Sequence, residues 1–125
     1  MKKVIVTSFI VLSLMTSVGV SASSFATTTT FQIQSKTETF KVYGNCGMCK
    51  KRIESSLSNV DGVEKATWDV KTKMLTVTFD SEVVSLYEIK ENIATVGHDT
   101  DEVKASEKVY NNLPGCCQYE RANNF

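Results

Sequence analysis

A chain of 125 residues is long enough for one domain of ordinary size and too short for two. Its 14 Lys and Arg balance 14 Asp and Glu, so nothing in the charge suggests a nucleic-acid partner. Beyond four cysteines and one histidine no paired acid/base or nucleophile set is visible, and an enzyme is not expected.

The chain opens with Met1-Lys2-Lys3, an apolar run Val4 to Val20, and small residues ending in Val20-Ser21-Ala22 or Ser24-Phe25-Ala26. These are the three regions of a secretory signal peptide, read here as residues 1–22. Thr7, Ser8, Ser13, Thr16, Ser17 and Gly19 break the run, which argues against a permanent membrane anchor. No cysteine between the run and Cys46 offers a lipid-attachment site. Export would leave a periplasmic or secreted chain without Lys2 and Lys3, so with two basic residues fewer than the 14 acidic ones. It would also place every cysteine where disulfides are permissible.

Residues 23–37 are Ser/Thr-rich, with Thr27 to Thr30 as a run and only Phe31 and Ile33 hinting at an extended piece; they read as a flexible tether. Thr39 to Tyr43 alternates in the period of a half-buried strand, with Phe40 and Val42 on one face. Gly44-Asn45-Cys46-Gly47-Met48-Cys49 is a loop opening a helix, because from Cys49 the apolar residues Ile53, Leu57 and Val60 recur at helical spacing. Asp61-Gly62 is a turn signal. Strands are expected over about Val63 to Val70, with Ala66, Trp68 and Val70 sharing a face, and Met74 to Phe79, with Leu75, Val77 and Phe79 inward and Thr76 and Thr78 outward. Ser85 and Glu88 form a capping box for a helix whose face is Leu86, Ile89, Ile93 and Val96 and which stops at Gly97. A last short strand is expected around Thr100 to Lys104.

The order β-α-β-β-α-β predicts an α+β, ferredoxin-like fold: an antiparallel sheet with two helices on one face, occupying residues 38–105. Residues 106–125 form a tail with Val109, Tyr110, Leu113, Cys116, Cys117 and Tyr119. That is too apolar for a purely solvated end, so part of it should dock on the domain.

Cys46 and Cys49 straddle a loop-to-helix junction. There the free N–H groups of the helix start, with Lys50, Lys51 and Arg52 nearby, favour thiolate, the metal-binding form. The Cys46-to-Cys49 loop, Ile53 and Leu57, Asp61-Gly62-Val63, the Leu75 to Phe79 strand and the ending Ile93-Ala94-Thr95-Val96-Gly97-His98-Asp99 together resemble the heavy-metal-associated domain. That family includes soft-metal chaperones, N-terminal modules of copper-transporting ATPases and periplasmic mercury-binding proteins. The resemblance covers about Thr39 to Lys104. It implies that Cys46 and Cys49 are the two thiolate ligands and that His98 lies in a loop close to them, where it is a candidate additional ligand or a hydrogen-bonding neighbour that tunes the site. In place of the family's usual Met two residues before the first cysteine and Thr or Ser just before it, this chain has Gly44 and Asn45.

Two soft thiolates in a shallow loop suit Cu(I), carried or buffered, with Hg(II) or Zn(II) as alternatives. The partner would be a copper-transporting ATPase or another metal-accepting protein, and the chain a monomer, with a metal-bridged dimer as the alternative. An inert disulfide between Cys46 and Cys49 is the plain structural reading, and thiol–disulfide exchange a functional one. Against exchange, the only proline is Pro114, in the tail, and the element order is not that of thioredoxin. Cys116 and Cys117 read equally as additional ligands that fold back over the loop or as a staple pinning the tail. Trp68 and Phe79 read as core, Met48 as core in preference to a thioether ligand, and Lys50, Lys51 and Arg52 as a docking face or a solvated helix start.

Overall fold

The structure is a computed structural model that describes residues 34–123, so the expected signal peptide and the stretch up to Ile33 lie outside the described residues. Strand β1 (Ser35–Lys41) leads to helix α1 (Gly47–Leu57), strands β2 (Val63–Trp68) and β3 (Met74–Asp80), and helix α2 (Leu86–Thr95). A short helix α3 (Glu107–Asn111) and a 3-10 turn (Gly115–Cys117) follow in the tail. The sheet is antiparallel in the order β1-β3-β2, with Ser35 opposite Asp80, Lys41 opposite Met74 and Trp68 opposite Leu75. The fold is the ferredoxin-like arrangement expected from the element order.

Alternation decides which face of the sheet is dry. Phe40, Trp68, Leu75, Val77 and Phe79 are buried against Ile53 and Leu57 of α1 and Ile89 and Ile93 of α2. The intervening residues form a wet face on which Thr37 pairs with Thr78 (2.9 Å) and Thr39 with Thr76 (3.1 Å) through their hydroxyls. Trp68 and Phe79 are core, as expected. At the head of α2 the Ser85 hydroxyl accepts from the Glu88 N–H while the Glu88 carboxylate accepts from the Ser85 N–H, so the capping box is formed. Gly62 turns at φ +87°, and a Cβ there would sit 2.9 Å from Val83.

Three expectations are corrected. The tether does not extend to residue 37, because β1 begins at Ser35 and draws Ser35 to Thr37 into the ladder with β3. The last strand, Thr100 to Lys104, is reduced to a single bridge between Val42 and Thr100. The Thr100 hydroxyl captures the N–H groups of Glu102 and Val103, and the Thr100 N–H donates to the Val103 carbonyl at 2.8 Å. These local bonds turn the chain away after one pair. Helix α1 starts two residues before the expected Cys49, at Gly47, with Cys46 as its N-cap.

The tail docks, and several contacts hold it. Leu113, Cys117 and Tyr119 are buried. Gly97, at φ +98°, lets Leu113 approach so closely that a Cβ on Gly97 would meet it at 2.9 Å. The Tyr119 hydroxyl accepts from the Asp99 N–H (2.7 Å) and donates to the Gly97 carbonyl (2.9 Å), while its ring stacks on His98 and meets Tyr110 edge-on. Arg121 reaches the fully buried Asp99 carboxylate with both fork nitrogens, at 2.8 and 2.7 Å.

Candidate metal centre

The loop gains its shape from what lies beneath it. A Cβ on Gly44 would meet Cys49 Cβ at 3.1 Å and the Trp68 ring at 3.1 and 3.2 Å. The indole therefore occupies the space under the loop, with Trp68 Nε1 donating to the Val42 carbonyl at 3.1 Å. That explains a glycine where the family commonly has a large side chain. Cys46 caps α1 in an extended conformation, half exposed, and Cys49 lies buried in the first turn. Their sulfurs are 3.7 Å apart, and the Asn45 N–H donates to Cys49 Sγ at 3.3 Å.

The helix start acts on Cys46 as the sequence suggested. The backbone N–H of Cys49, then that of Met48, lowers the Cys46 pKa to about 7, helped by the thiols of Cys49 and Cys117 and opposed by partial burial. Near neutral pH a large share of Cys46 is thiolate. Of the adjacent cations, Lys50 is turned to Glu54 and the Trp68 carbonyl.

The tail brings Cys116 and Cys117 to this loop. The Sγ atoms of Cys46, Cys116 and Cys117 all lie within 4.8 Å of one another, and among the described residues this is a group whose side chains could hold a metal ion. Cys116 and Cys117 sulfurs are 3.9 Å apart. Cys117 is fully buried; burial first, then the neighbouring Cys49, Cys116 and Cys46 sulfurs, push its pKa up to about 12. All four cysteines are free thiols. Asn45 Nδ2 donates to the Gln118 carbonyl at 3.0 Å, tying the loop to the residue after Cys117.

Met48 differs from expectation: it is 54% exposed and not core, with its sulfur 3.7 Å from Cys116 Sγ. His98, a candidate for a metal or a hydrogen-bond role, is fully buried and takes the second: it does not join the thiol group. Its Nδ1 faces the Tyr43 carbonyl at 2.8 Å, so that nitrogen carries the proton and Nε2, buried without a partner, carries the lone pair. Burial lowers its pKa and Arg52 adds to this, against the opposing Tyr43 carbonyl and Asp99 charge. His98 thus holds the strand end just before Gly44. Sequence reasoning noted Asn45 in the loop and Tyr119 in the docking tail but not the contacts they make, and it did not single out Arg121, which anchors the tail on Asp99.

A ferredoxin-like domain that presents a Cys-x-x-Cys pair at the head of its first helix belongs to the class of small thiolate metal-binding modules. The model of the heavy-metal-associated domain matches residues 39–105, and the chain belongs to that family. A zinc-transporting ATPase from Synechocystis sp. is 43% identical over 72 residues, 57% of this chain. The match spans only 10% of that ATPase. The copper chaperone CopZ of Staphylococcus aureus is 34% identical over 55 residues, covering 44% of this chain and 81% of CopZ. Among solved structures, oxidized MerP from Ralstonia metallidurans CH34 matches with a TM-score of 0.51 and 28% identity, over 54% of this chain and 94% of MerP. The tail from Ser106 onward lies beyond the family match.

Proposed function

We propose that this protein binds a soft metal ion, Cu(I), between Cys46 and Cys49 and carries or buffers it outside the cytoplasm, after removal of residues 1–22. The observation that carries the reading is the Cys46–Cys49 pair itself, 3.7 Å apart at a helix start, with the outer thiol's pKa lowered to about 7. A half-exposed thiolate can be reached by a partner's cysteine, and ligand exchange between thiolates is the chemistry of transfer. The acceptor in this reading is a copper-transporting ATPase or another metal-accepting protein, and the chain itself catalyses no reaction. The zinc-transporting relative supports a second reading, Zn(II) as the cargo, and the family resemblance keeps Hg(II) beside it.

An anaerobic titration of the reduced protein against a chelator of known Cu(I) affinity tests this. One ion should bind per chain, and Cys46→Ser with Cys49→Ser should abolish the binding. Parallel titrations with Zn(II) and Hg(II) rank the cargo, and a wild type that fails to compete for Cu(I) while holding either of the others would overturn the copper assignment.

A further inference from the structure

The tail carries two thiols that a two-ligand site does not need, and the fold spends several interactions on placing them. Arg121 on Asp99, Tyr119 between Asp99 and Gly97, and Leu113 on Gly97 fix the chain on either side of Cys116 and Cys117 without any sulfur contact. A staple is therefore superfluous. Burial in the core would account for Cys117 but not for Cys116, which is exposed and faces Cys46, Cys117 and the Met48 sulfur.

The spacing of the sulfurs bears on coordination number. With metal–sulfur bonds of about 2.3 Å, two thiolates in a straight line stand about 4.6 Å apart, whereas three or four around one ion stand about 3.8 to 4.0 Å apart. The Cys46–Cys49 and Cys116–Cys117 separations are 3.7 and 3.9 Å. Both match the crowded geometry, and the tail pair lies within 4.8 Å of Cys46 in a group that does not include Cys49, which enters the site through its 3.7 Å contact with Cys46.

Building on the reading that Cys46 and Cys49 hold a soft ion, we propose that Cys116 and Cys117 are further ligands to it, so that loop and tail form one site of three or four thiolates. Such a site suits a soft d10 cation at a coordination number above two. It also changes release: the tail must lift, or Cys116 must let go, before an incoming thiolate can take the ion. Exposed Cys116 beside Met48 is the edge at which that exchange starts.

The experiment loads the reduced, full chain with one equivalent of Cu(I) and counts sulfurs by X-ray absorption, alongside iodoacetamide labelling read by mass spectrometry. Three or four sulfurs are expected in the wild type, and two in Cys116→Ser/Cys117→Ser, with at least about a tenfold loss of affinity, since even outer-shell changes cost that much. In the labelling of the wild type, the ion should protect Cys116 and Cys117 together with Cys46 and Cys49. Cys116→Ser alone, at an exposed position, supplies a variant whose fold is safe, and it should lose one sulfur. Two sulfurs in every form, with Cys116 and Cys117 labelled as fast as in the metal-free chain while Cys46 and Cys49 are protected, would overturn the proposal and leave the two-cysteine carrier standing. Failure of the wild type to bind Cu(I) at all would overturn both.

Discussion

Cys46 and Cys117 are members of one sulfur cluster, yet they are opposites. Cys46 sits at a helix start where N–H groups converge and its pKa falls to about 7; Cys117 sits in the core under the tail and its pKa rises to about 12. The loop is built to present a thiolate, the tail to hold a thiol ready beneath it. What separates them is local: free amide donors at one and desolvation at the other.

The largest consequence of that contrast is in reactivity. In the metal-free, reduced protein Cys46 should alkylate with a half-maximal rate near pH 7, whereas Cys117, its thiol held protonated by burial, should react far more slowly at that pH. Peptide-resolved labelling across pH measures both, and equal rates would erase the distinction between the two regions.

The next effect concerns what keeps the tail in place. Arg121→Ala leaves the buried Asp99 carboxylate without its fork partner and should destabilise the protein by about 3–5 kcal/mol in urea unfolding. Arg121→Lys, which keeps the charge but loses the bidentate geometry, should recover only part of that. A neutral Arg121→Ala would mean that the tail stands on its apolar contacts alone.

The smallest effect is a pH dependence at His98, which touches both regions through Tyr43 and Tyr119. Burial lowers its folded pKa below the ordinary 6.5. Below pH 6.5 the unfolded chain takes up a proton that the folded one resists, so stability is full above that pH and declines as pH falls beneath it. His98→Phe should flatten this part of the profile, read as the difference between wild-type and variant unfolding midpoints from about pH 7.5 to about pH 5.

Much of the fold was legible because it follows from periodicity and capping. The alternation of Leu75 to Phe79, the Ser85–Glu88 box and the helical spacing of Ile53 and Leu57 all point to the elements seen. The failures came where a local bond outcompeted a pattern. Thr100 folds its hydroxyl back on Glu102 and Val103 instead of extending a strand, and Met48, apolar by type, sits on the outer side of a helix start.

The sequence by itself determined the Cys46-to-Cys49 pair at a helix start, because four consecutive residues and a 3.6-residue period are local properties. Only the tertiary structure decided that Cys116 and Cys117, some 70 positions later, share their space. That placement rests on the buried Asp99–Arg121 pair, the Tyr119 hydroxyl and the fit of Leu113 against Gly97. Each of these is a contact between distant residues, formed only when the chain folds back on itself.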